Sequence, residues 1–156
     1  MVGVGETIAD LAESCAVMRD LGAHQVRVMS FVPQEGTPMA GWPSPDRLRE
    51  MVAIATLRIL FPDRLIPASL DVDGLAGLGA RLEAGANVVT SLIPPRVGLA
   101  GVARARLNVD EGYRTPAMVS VVLRRMGLQP ASLDDYLRWL GAAKAGLAER
   151  EVATLR

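Results

Sequence analysis

The feature that most constrains this chain is alternation: short apolar runs take turns with amphipathic stretches, and the links between them are brief. Residues 1–5 form a Gly-punctuated run. Residues 7–21 then repeat Ile8, Leu11, Ala12, Cys15 and Met18 at helical spacing before Gly22. Residues 24–31 read as a strand and 32–43 as a Pro/Gly-rich loop. Ser44 and Pro45 open a helix whose apolar stripe is Leu48, Met51, Val52, Ala55 and Ile59, with Arg47, Arg49, Glu50 and Arg58 outside. Pro62 ends it. Strands at 65–71 and 87–93 flank a short helix at 74–84, and an irregular stretch fills 96–114. Helices at 116–126 and from 132 onward finish the chain.

Strands that alternate with helices imply a parallel sheet with right-handed crossovers. An open sheet covered on both faces has continuously apolar strands, whereas these alternate. Val26 and Val28 share one face while Gln25, Arg27 and Met29 share the other. Ile66, Ala68 and Leu70 likewise oppose Pro67, Ser69 and Asp71. Polar groups on the non-helix side suit a (β/α)₈ TIM-type barrel with a polar interior. A whole barrel takes about 250 residues, and this chain has 156. The expected fold is α/β: a half-barrel of about four parallel strands over residues 1–114, then a helical segment over 115–156.

Composition closes several other routes. Lys+Arg and Asp+Glu balance at 17 each, so no electrostatic footprint for nucleic acid or an anionic membrane is present. The apolar stretches stop short of a bilayer span and Met1 opens no signal peptide, so a cytoplasmic location is expected. One cysteine, Cys15, and one histidine, His24, exclude a disulfide framework, a multi-cysteine cluster site and a His-rich zinc site within these residues. Cys15 lies on an apolar helix face and reads as a packed thiol, and His24, with no nucleophile beside it, reads as structural.

Arg27, Ser69 and Asp71 are the candidates to carry chemistry. All three fall on inward parity of two successive strands, and Ser69 and Asp71 stand at a strand's C-terminal end, where barrels keep their sites. A guanidinium grips a carboxylate, and a carboxylate with a hydroxyl can hold an ammonium, so the set suits a free α-amino acid. The alternative is a buried Arg–Asp pair that only fills the barrel. The Gly3-Val4-Gly5-Glu6 turn either lets a cofactor approach the backbone or is simply a tight strand-to-helix link.

More specific are the words themselves. Val4-Gly-Glu-Thr7, Gln25-Val-Arg-Val-Met-Ser-Phe31 and Pro33-Gln-Glu-Gly-Thr-Pro38 occur in order. They are followed by Ile66-Pro-Ala-Ser-Leu-Asp-Val-Asp-Gly74, Glu83-Ala-Gly-Ala-Asn-Val-Val-Thr-Ser91, Ile93-Pro-Pro95 and Gly98-Leu-Ala-Gly-Val102. Together they resemble the biotin-synthase-like branch of the radical S-adenosylmethionine enzymes, and within it an amino-acid mutase that rearranges lysine. The resemblance covers about residues 1 to 143 and implies the C-terminal half of a (β/α)₈ barrel, with S-adenosylmethionine and a [4Fe–4S] cluster as cofactors. It also implies reductive cleavage of S-adenosylmethionine to a 5′-deoxyadenosyl radical that takes a hydrogen from the substrate.

By matching positions, Arg27, Ser69 and Asp71 resemble the residues that hold the amino acid, and Gly3, Gly5 and Glu6 part of the cofactor pocket. The family's C-x-x-x-C-x-x-C cluster motif is not among these residues. The expectation is therefore a fragment, one half of a split enzyme whose other half is a separate chain, or a protein that has lost radical chemistry, with the missing N-terminal half or further copies in a homo-oligomer as the expected partner. Other members of the branch, such as biotin synthase or the hydrogenase-maturation enzyme, and a non-catalytic half-barrel binding an amino acid or partner protein, are the competing readings. The Ser69/Asp71 pair beside Arg27 suits a free amino acid better than dethiobiotin.

Overall fold

A computed structural model describes residues 1–93 and 114–154. The expected irregular stretch at 96–114 lies, up to residue 113, outside the described residues, as does the Gly98 motif. The elements are helix α1 (Ile8–Asp20), helix α2 (Arg47–Leu60), strand β1 (Pro67–Ser69), a 3₁₀ turn (Gly74–Gly77), helix α3 (Leu78–Glu83) and strand β2 (Val88–Thr90). Helices α4 (Pro116–Arg125) and α5 (Leu133–Thr154) follow.

β1 and β2 pair in parallel, with Ser69 opposite Thr90. Of the four expected strands, only these two are regular. The first two are reduced to single parallel bridges, Val2 with Ser30 and Gln25 with Leu65. The reason lies in the stagger. Residues 25–30 meet the Leu65 segment only at their start, where Val26 N donates to Leu65 O at 3.0 Å. They meet the Val2 segment only at their end, where Phe31 N donates to Val2 O at 2.8 Å. A segment bonded to different neighbours at opposite ends builds no continuous ladder on either side. The pairing nevertheless follows chain order throughout, as crossover-linked parallel strands do.

The apolar faces are inside as expected, although Pro67, on the opposite parity, is buried too. Val26, Ile66, Ala68 and Leu70 have no exposed surface and form one core with Ile54, Leu57, Leu78, Val119 and Leu123. α4 thus shares the core of the strands, with Thr115 capping it from the side chain onto Met118 N and Pro116 opening its first turn. α5 docks elsewhere: Trp139 Nε1 donates to Asp63 O at 3.0 Å and His24 Nε2 meets Ala143 O at 3.2 Å. Both contacts lie at the start of strand segments, opposite the ends that bear Asp71. His24 thus meets α5 through its ring.

α2 departs from its sequence pattern. Its cap is Asp46, whose carboxylate accepts from Leu48 N, and its buried residues are Glu50, Ile54 and Leu57. Leu48, Val52 and Ile59, expected inside, are exposed. The helix turns Glu50 inward because Arg81 waits there: the guanidinium of Arg81 bonds both Glu50 oxygens, at 2.8 and 3.1 Å. Its other arm reaches Asp73, which also holds Arg47 at 2.8 Å. The chain Glu50–Arg81–Asp73–Arg47 ties α2 and α3 to the loop that follows β1. Gly77 makes room for it, since a Cβ there would lie 2.2 Å from an Asp73 oxygen.

Candidate active site at the strand ends

β1 and β2 end side by side, and their non-helix face carries a compact polar cluster. Ser69 Oγ donates to Asp71 Oδ2 at 3.1 Å and lies 3.2 Å from Ser91 Oγ. Ser91 Oγ donates to the same carboxylate oxygen. Arg114 Nη1 bridges Leu70 O at 2.9 Å and Asp71 Oδ1 at 3.3 Å. Burial would raise the Asp71 pKa, but the hydroxyls of Ser91 and Ser69 and then the Arg114 guanidinium outweigh it and hold the carboxyl below its ordinary value. The stability this adds is present above the unfolded pKa and lost as pH falls through the lowered folded one.

Arg27 stands apart from that pair. Its Nη2 reaches across β1 to Thr90 Oγ1 at 3.4 Å, and it is exposed. No bond joins Arg27 to Asp71 among the described residues, so Arg114, not Arg27, satisfies the carboxylate. Among those residues Arg27 is linked to the Ser69–Asp71 cluster only through Thr90, which stands opposite Ser69 and next to Ser91. Thr90, Ser91 and Arg114 were not singled out from the sequence. Ser91 sits one residue past β2 at a strand's C-terminal end, a signal that parity reasoning could have used. Nothing local marks Arg114, which arrives from 43 residues beyond Asp71.

The Gly3–Glu6 turn is built from within. Both Glu6 oxygens accept from Gly3 N at 3.0 Å, and Val4 N adds a bond of 2.9 Å. Arg49 grips the carboxylate at 2.7 Å. Gly3's amide, above all, keeps the Glu6 pKa low against the opposing effect of burial, with Val4 and Arg49 helping. Glu6 thus pins the turn, and its carboxylate is committed. Only Gly5 presents backbone with open space around it, nothing lying within 4 Å of where its Cβ would stand. Gly3 has φ +95°, and a Cβ would lie 2.7 Å from the Pro45 ring. Gly3→Ala is expected to cost about 1–3 kcal/mol through backbone strain alone, visible as a lowered denaturant midpoint.

Cluster ligands do not fit here. Cys15 is the only cysteine, it packs against the core from α1, and burial pushes its thiol up, away from the thiolate that iron requires. No group of three potential metal-ligating side chains occurs among the described residues. Nor is any described helix long and apolar enough to cross a membrane.

The chain matches no protein-family model. It is similar to the biotin synthase of Allorhizobium ampelinum, 37% identical over 71 residues, which is 44% of this chain and 22% of that protein. This likeness and the two that follow all point to the radical S-adenosylmethionine enzymes, in the branch that holds biotin synthase, and the parallel α/β architecture is consistent with them. Its more extensive likeness there is to 3-methylornithine synthase. That of Methanosarcina barkeri is 43% identical over 141 residues, 90% of this chain and 40% of that protein. A crystal structure of methylornithine synthase superposes with a TM-score of 0.77 at 42% identity, covering 88% of this chain and 41% of the other. The chain spans about two-fifths of the length of these methylornithine synthases.

Proposed function

We propose that this chain forms the substrate-side part of a radical S-adenosylmethionine mutase that converts L-lysine to 3-methylornithine, as in pyrrolysine biosynthesis. The observation that carries the reading is the strand-end cluster, in which an exposed Arg27, bonded to Thr90 alone among the described residues, and a preset Asp71 share a face with the hydroxyls of Ser69, Thr90 and Ser91. A zwitterionic amino acid needs both signs on one face, and this face carries both. Arg27 takes the carboxylate; Ser69 and Asp71 take an ammonium. Residues 1–114 supply a half-barrel, and the helices of 115–156 brace it.

The [4Fe–4S] cluster and S-adenosylmethionine belong to the complete enzyme, and the three thiolates come from residues outside these 156, in the same polypeptide or in a partner chain. Gly5 is the point in the Gly3–Glu6 turn where the cofactor can approach the backbone; Glu6 serves the turn. Biotin synthase and the hydrogenase-maturation enzymes remain the second reading, supported by the partial likeness to biotin synthase.

The test is complementation under strict anaerobiosis. Alone, the chain is expected to take up no cluster on reconstitution, by iron and sulfide analysis. Combined with the cysteine-bearing part of a methylornithine synthase, reductant, S-adenosylmethionine and L-lysine, it is expected to yield 5′-deoxyadenosine and an isomer of lysine. Stoichiometric cluster on the chain alone, or turnover of dethiobiotin in place of lysine, would refute the proposal.

A further inference from the structure

Arg114 is the largest fully buried side chain among the described residues, at 2% exposure, and the residue is fastened at both ends. Its backbone carbonyl accepts from Ile93 N at 3.0 Å, just past β2, while its guanidinium bridges Leu70 O and Asp71 Oδ1 at the end of β1. Its Nε is buried with no partner among the described residues. Burying a guanidinium that leaves a donor unsatisfied is costly, so its placement asks for a reason beyond packing.

Ser91 carries a second cost at the same spot. It has φ 65°, the single non-glycine residue with positive φ among the described residues, and its hydroxyl bonds Asp71 Oδ2. A β-substituted residue in the left-handed region is strained, and such strain concentrates where function needs a fixed side chain.

We infer that Arg114 and Ser91 are positioning residues that fix the Asp71 carboxylate in rotamer and charge for the substrate ammonium. This rests on the amino-acid reading above. Arg114 takes one of the two acceptor positions on Oδ1, while Ser69 and Ser91 take both on Oδ2, so three donors set the plane of the carboxylate. The remaining lone pair is the one a ligand ammonium can use. The other charged groups nearby are accounted for: Arg27 reaches Thr90 beside Ser91, and Asp73 is committed to Arg81 and Arg47.

The experiment uses Arg114→Met and Ser91→Gly, with two readouts on each. The first is the titration of the Asp71 carboxyl carbon by NMR in the full chain. The second is calorimetric L-lysine affinity across pH in the chain completed by its cluster-bearing part. Ser91→Gly suits the left-handed backbone and removes no more than the small CH2OH side chain, so it folds even if Arg114→Met does not.

In both variants the Asp71 midpoint is expected to rise. Lysine affinity falls about tenfold, the loss expected of a missing charge-assisted hydrogen bond. The acid-side decline in lysine affinity should also begin at a higher pH than in the wild type. A residue that merely packs would leave the midpoint and the pH profile of the folded protein unmoved. An unchanged Asp71 midpoint in Ser91→Gly overturns the inference, as does undiminished lysine affinity there. If the midpoint rises as expected but the wild-type protein binds no lysine at any pH, the amino-acid reading fails and the inference with it, while the Arg114–Ser91 clamp on Asp71 stands.

Discussion

Glu50→Ala is expected to destabilise the chain by about 3 kcal/mol, the low end for breaking a buried ion pair. Glu50 and Arg81 are 9% and 3% exposed and meet through two bonds, so truncation strands a buried guanidinium. Asp73 remains in contact with Arg81 and limits the damage. For a domain of this size the melting temperature should drop by about 10 °C. The double variant Glu50→Leu/Arg81→Met is expected to recover most of the loss, because an apolar pair of similar volume needs no charge compensation and Asp73 keeps Arg47. Differential scanning calorimetry of both variants decides the matter. If the single and double variants melt alike, desolvated charge is not what holds α2 against α3.

The second large effect falls on binding. In the completed enzyme, Arg27→Ala is expected to weaken L-lysine binding by about 2–5 kcal/mol, thirtyfold or more, since a desolvated carboxylate is left without its partner. Its melting temperature should not change, because Arg27 is exposed and its one side-chain bond, to Thr90, is 3.4 Å long. Asp71→Asn should behave differently. It loses the ion pair with Arg114 as well as the charge that attracts an ammonium, so both affinity and melting temperature fall. Had Arg27 and Asp71 formed a structural pair, the two variants would lose stability together. The geometry separates them, and thermal melts beside calorimetric titrations read the separation directly.

What the sequence disclosed was parity. Period-two alternation put Val26, Ile66, Ala68 and Leu70 inside and Arg27, Ser69 and Asp71 on one polar face, and the structure agrees, because side-chain direction in a strand is fixed by the backbone. Which residues pair on that face was not legible. Arg114 reaches Asp71 from a remote segment, and no local pattern announces a contact of that separation. Helical periodicity failed at α2 for a related reason. The stripe of Leu48, Val52 and Ile59 is apolar, yet Glu50 faces inward because Arg81, on another helix, offers it a bidentate partner. Strand continuity was overread for residues 24–31, where the apolar alternation persists but neighbouring segments bond only at the ends. The Gly3–Glu6 turn read either as a cofactor approach or as a tight strand-to-helix link, and nothing in the sequence showed that the Glu6 carboxylate is held by the turn's own amides and by Arg49.

The free-amino-acid site is the central claim, and competitive calorimetry tests it most directly. L-Lysine and dethiobiotin are titrated in turn into the chain completed by its cluster-bearing part, with S-adenosylmethionine present. Saturable lysine binding that Arg27→Ala removes, with no binding of dethiobiotin, is the predicted result. Dethiobiotin binding while lysine gives no heat would contradict it.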